Sequence, residues 1–63
     1  MRIGKQLRAI REGQGWSMEQ VATMAGVKQK TIEKIENGAF NVSLYILAKV
    51  ADVLGADIVI KNR

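Results

Sequence analysis

Ile3, Leu7 and Ile10 stand at i, i+4 and i+7 of a segment otherwise rich in Lys, Arg, Gln and Glu. That spacing lines one face of an α-helix. Gly13 and Gly15 close it, because glycine accepts the left-handed backbone that ends a helix. The pattern restarts at GWSMEQVATMAG. Ser17 as N-cap with Gln20 three residues later makes a capping box, and Trp16 and Val21 hold the two positions of a hydrophobic staple. A tryptophan here can also stack on a ligand, but its place just before the cap predicts the staple directly. The second helix runs to about Ala25 and breaks at Gly26. Val27 and Ile32 repeat the staple, so a third helix is expected from near Lys28 to the Asn37-Gly38 cap. Ser43 caps a fourth, Leu44 to Leu54, which Gly55 closes.

The fourth helix carries apolar residues on two sides. Leu44, Leu47, Ala48, Ala51 and Leu54 form the stripe expected to face the core, and Ile46, Val50 and Val53 a second stripe nearly opposite. The period then changes. Asp57-Ile58-Val59-Ile60-Lys61 is a β-branched run with charged ends and reads as a strand. No other segment looks like a strand, so its backbone groups need a partner from a second chain or remain a bare edge in water. Residues 1–55 are therefore expected to form one domain and 56–63 a dimerisation tail. In this reading Ile46, Val50, Val53, Ile58, Val59 and Ile60 meet their copies across a two-fold axis. The alternative is a tail that folds back over its own helix.

Composition narrows the chemistry. A chain of 63 residues is close to the lower limit for a domain that folds alone, and small scaffolds without staples often oligomerise. It contains neither cysteine nor histidine, which argues against a disulfide, a zinc site of ordinary ligands, and the commonest general base and thiol nucleophile. Ser17 and Ser43 sit where caps sit, and no paired-carboxylate site or phosphate-cradling glycine loop is present. We expect no enzyme, no metal and no cofactor. The formal charge is +4 and the pI near 9.9, a mild bias toward anionic partners. No apolar run reaches membrane-spanning length, and the first residues do not read as a signal peptide. A cytoplasmic protein without a membrane partner is expected.

The third helix is sharply two-sided. Ile32 and Ile35 point one way, while Lys30, Glu33, Lys34 and Asn37 point the other, with Gln29 on the rim. Lys30 and Lys34 are four apart, where like charges repel by about a few tenths of a kcal/mol, so the face is tolerable in water and favourable beside an anion. Ala22 is small where the second helix must approach the third, and Gly26 makes a tight connection. Two helices joined steeply, the second polar outward, make a helix-turn-helix, whose second helix is of a width to enter the DNA major groove.

The segments IGKQLRAIRE, GWSMEQVATMAGV, KQKTIEKIENG and SLYILAKVADVLG, in that order, resemble the Cro/C1 repressor-type helix-turn-helix family, also called the Xre family. The resemblance covers most of residues 3–55. It implies an all-α, lambda-repressor-like fold of four to five helices that docks on double-stranded DNA as a homodimer, with a recognition helix at about 28–37. By position it implies base contacts from Gln29, Lys30 and Lys34, and an ion pair of Arg11 with Glu36. Lys28 stands at the start of the recognition helix, where Ser or Thr is more usual. Met18 replaces a customary glutamine, and the loop Ala39–Val42 lacks the basic residues that many members place on phosphate. Ser17, Thr31 and Asn37, with helix-start amides, are expected to carry that positioning. Glu33 is either charge compensation or an acceptor for a cytosine amino group. The strand-like tail, with GW and VKQ, is similar to DNA-binding antitoxins of kinase toxins, which adds Lys28 to the base-contacting set and raises a toxin protein as a possible partner.

The expected function is a dimeric, sequence-specific transcriptional repressor on a two-fold operator. The alternative is an antitoxin-type protein that chiefly holds a toxin and regulates its own promoter secondarily.

Overall fold

A computed structural model of the chain describes residues 2–38 and 42–56. Four helices follow one another there: α1 (Arg2–Gly13), α2 (Met18–Ala25), α3 (Gln29–Glu36) and α4 (Leu44–Val53). The result among these residues is an all-α helix-turn-helix fold. The expected strand at 57–61, and with it Ile58, Val59 and Ile60, lies outside the described residues.

Local chemistry sets the boundaries. The N–H of Gln20 donates to Ser17 Oγ (3.0 Å) and the N–H of Ser17 donates to Gln20 Oε1 (2.8 Å), which satisfies two donors that a helix start leaves without partners. Ser43 caps α4 with one half of that arrangement, accepting from the N–H of Ile46. Trp16, Val27 and Val42 each precede a cap and pack on the core, while Val21, Ile32 and Leu47, at the matching staple positions, are buried. The Trp16 indole N–H donates to Gln14 Oε1 (3.0 Å), so this ring is committed to the protein.

The core lies between all four helices and is built from Leu7, Val21, Ile32, Ile35, Leu47, Val50 and Leu54 with Ala22, Ala25 and Ala51. Small residues set the close approaches. Gly4 in α1 rests on the end of α3, where an added Cβ would overlap the carbonyl oxygen of Ile35. Gln14 joins the α1–α2 connection to the far end of α4 by donating from Nε2 to the carbonyl of Leu54 (2.7 Å).

The packing of α4 corrects the two-stripe expectation. Val50, expected on a free second face, is 2 % exposed and belongs to the core with Leu47, Ala51 and Leu54. Ile46 and Val53 are half-buried against that core. Leu44 and Ala48, expected inside, are exposed, and Tyr45 beside them is 70 % exposed. The apolar residues of this helix span most of the wheel at about 100° per residue. Periodicity therefore leaves the rotation open, and packing against α2 turns Val50 inward and Leu44 outward.

Candidate nucleic-acid interface

The turn between α2 and α3 begins at Gly26, whose φ of 70° is left-handed. The N–H of Gly26 donates to the Thr23 carbonyl and that of Val27 to the Ala22 carbonyl, closing α2 with the paired bonds of a Schellman motif. Lys28 follows with extended N-cap backbone (φ −77°, ψ 149°) but no side-chain cap. Unlike α2 and α4, α3 thus starts with no side chain accepting from its first amides.

Only eight residues long, α3 divides sharply. Ile32 and Ile35 are each 1 % exposed and sit among the largest fully buried side chains. Lys28, Gln29, Lys30, Glu33, Lys34 and Asn37 are exposed, and Thr31 is half-buried. At about 100° per residue, Lys30 and Asn37 lie on the outward meridian, with Glu33 and Lys34 on either side of it. The helix forms a ridge between two grooves. One, of about 300 Å³, is lined by Thr31 and Lys34 of α3 and by Val42, Ser43 and Ile46 at the start of α4. The other, about 180 Å³, is lined by Arg8, Arg11, Met18, Glu33, Glu36 and Asn37.

A buried ion pair holds the far end of this ridge. Arg11 Nε and Nη2 donate to Glu36 Oε2 (2.6 Å) and Oε1 (3.1 Å), and Nη1 donates to the Trp16 carbonyl (2.8 Å). The two side chains are only 10 % and 8 % exposed. The fork geometry satisfies both carboxylate oxygens at once. Hydrogen bonding to Glu36 pushes the Arg11 pKa up, outweighing burial, which pushes it down. One guanidinium therefore connects α1, the α1–α2 turn and the end of α3.

The structure gathers Gln29, Lys30, Thr31 and Lys34 on one short helix, with Lys28 and Asn37 at its two caps. Ser17 lies at the start of α2, and its neighbour Met18 shares a groove with Glu33 and Asn37, so this helix start flanks the C-terminal half of α3. Because Ser17 Oγ accepts the cap bond, its hydroxyl proton is left to donate. Met18 offers no polar group to this groove. Sequence reasoning missed the Tyr45–Lys49 pair, in which Nζ stands 5.4 Å from the ring centroid. That ammonium also lies beside Gly26, adding a cation next to the turn; the i, i+4 spacing of aromatic and lysine was the available signal. Among the described residues no group of acidic residues is arranged to hold a metal ion, and no helix is long and apolar enough to cross a membrane.

Residues 7–60 match the helix-turn-helix family. The chain belongs to that family, in its Cro/C1 type. It is also 32 % identical over 56 residues to PH1808 of Pyrococcus horikoshii, a protein whose name places it with HTH-type transcriptional regulatory proteins. That alignment takes in 89 % of this chain and 18 % of the relative, so the chain spans less than a fifth of the protein it matches.

Proposed function

We propose that this chain is a sequence-specific DNA-binding unit of a transcriptional regulator, with α3 entering the major groove of double-stranded DNA. The observation that carries the reading is the division of α3. Its inner face is two fully buried isoleucines, and its outer face presents Lys30, Lys34 and Asn37 with Lys28 and Gln29 at the leading end. A ridge of that width suits a groove about 12 Å across. Lys28, Lys30 and Lys34 donate to guanine O6 and N7, Gln29 pairs with adenine, and Ser17, Thr31 and Asn37 hold phosphate and fix the register.

The functional unit is a homodimer on a two-fold-symmetric operator, and it represses by covering the promoter. The apolar run Ile58-Val59-Ile60 and the half-buried edge formed by Ile46 and Val53 support the dimer. The name of the Pyrococcus horikoshii relative supports the regulatory role.

Selection of bound duplexes from a random pool tests this reading, and an inverted repeat is the expected product. Lys30→Ala and Lys34→Ala should each cost about 1–3 kcal/mol on that site and relax preference at one position. If either loss instead weakens all duplexes alike and lowers the salt dependence, that lysine holds phosphate and does not read a base.

A further inference from the structure

Lys30 and Lys34, with Lys28 just before the helix, make the outer face of α3 attractive to a polyanion, yet a carboxylate stands between Lys30 and Lys34. Glu33 is exposed, and among the described residues it makes no ion pair. The fold does form such pairs on exposed helix surface: Arg8 meets Glu12 four residues on, at 3.4 Å. Nor can the groove beside Glu33 readily supply a partner. Arg11 is committed to Glu36 and Trp16, and Arg8 turns instead to Glu12 through an exposed contact. An acceptor left open on a face turned toward phosphates lowers affinity for every duplex, unless a base supplies the missing proton.

Resting on the DNA-reading function above, we propose that Glu33 is a specificity-determining residue that accepts from the N4 amino group of a cytosine. In the major groove guanine presents only acceptors, at N7 and O6, and thymine presents the O4 acceptor and a methyl group. Adenine pairs its N6 amino donor with the N7 acceptor, which repels a carboxylate approaching alongside. Cytosine alone offers a donor with no acceptor on its own base, and a carboxylate approaching from its C5–H side stays clear of the guanine O6 across the pair. Lys30 lies one turn before Glu33, so a lysine that takes guanine and a carboxylate that takes cytosine read adjacent parts of a G·C-containing half-site. The lysines supply attraction, and Glu33 rejects sequences that place guanine or thymine beneath it.

The test is selection from a random duplex pool by wild-type protein and by Glu33→Gln. Affinities of single-base operator variants and of a scrambled duplex are then measured by anisotropy at several salt concentrations. Glutamine keeps the shape, removes the charge and suits adenine N6 and N7. Wild type should prefer cytosine at one half-site position by roughly tenfold or more. Glu33→Gln should lose that preference or move it to adenine, bind the scrambled duplex more tightly, and keep the same salt slope because no phosphate contact has changed. Glu33→Gln that selects the same operator, with all affinities raised by one common factor, would show a carboxylate that only tunes charge and overturn the assignment alone. Wild-type protein that prefers no duplex would overturn the DNA-reading function and this assignment together.

Discussion

Lys28→Ser should make the protein more stable and a poorer DNA binder. The residue before α3 already has the backbone of an N-cap: its φ and ψ of −77° and 149° compare with −81° and 163° at Ser17 and −68° and 152° at Ser43. Those two serines accept from the third amide of their helices, whereas Lys28 contributes no side-chain bond. A serine there needs no backbone change and gives the first turn an acceptor, worth about 1 kcal/mol. Removing a cation from the positive end of the helix dipole adds roughly 0.3 kcal/mol or more. The sum, about 1–1.5 kcal/mol, corresponds to a rise in melting temperature of about 5–10 °C for a domain of this size. Far-UV circular dichroism on heating, and urea titration followed through the single Trp16, measure it directly. The same variant should lose about 1–3 kcal/mol of operator affinity if Lys28 meets a base, or about 0.9 of salt slope if it meets a phosphate. A Lys28→Ser protein no more stable than wild type would refute the idea that α3 starts short of an acceptor. One that is more stable and binds DNA unchanged would remove Lys28 from the interface.

Glu36→Gln leaves Arg11 charged and half-partnered in a buried site, and should cost about 3–5 kcal/mol in urea unfolding, while Arg11→Met with Glu36→Leu should recover much of that loss; a Glu36→Gln protein as stable as wild type would make the pair unimportant. Gly4→Ala should destabilise, although helix propensity alone favours alanine by about 1 kcal/mol, because the new methyl overlaps the Ile35 carbonyl; a raised melting temperature would refute the close α1–α3 packing. Ile58→Asp with Ile60→Asp should give a folded monomer with weakened operator binding, measured by light scattering and anisotropy, and a persistent dimer would reject pairing through the tail. Val50→Asp, in contrast, should unfold the chain outright, because that side chain lies inside the subunit.

What could be read from the sequence depended on how local its cause was. Ser17, Gln20 and Gly26 act within a few residues of themselves, so the limits of α2 and the turn into α3 were legible from spacing alone. The outward face of α3 was legible too, since Ile32 and Ile35 leave its buried side in no doubt. The rotation of α4 was not. Its apolar residues cover too wide an arc, and the choice between Val50 and Leu44 for the core is made by α2, which no periodicity within α4 encodes. Contacts across long separations were equally silent. Arg11 and Glu36 are 25 residues apart, and the pair was expected from family resemblance and not from spacing. Gln14 reaches the Leu54 carbonyl across 40 residues with no signal in its surroundings.

The two ends of α3 are held very differently. At its finish Glu36 is clamped by two bonds from Arg11, and at its start the amides of Gln29 and Lys30 have neither a preceding helical carbonyl nor a capping hydroxyl. The start of α3 is anchored through the Gly26–Val27 turn and not by a side-chain cap, so fraying concentrates at its leading turn. Amide protons of Gln29 and Lys30 should exchange with solvent much faster than those near Ile35. If α3 enters DNA as proposed, the turn that leads is also the one able to adjust its backbone on arrival, while the Arg11 clamp holds the other end of the helix to the domain.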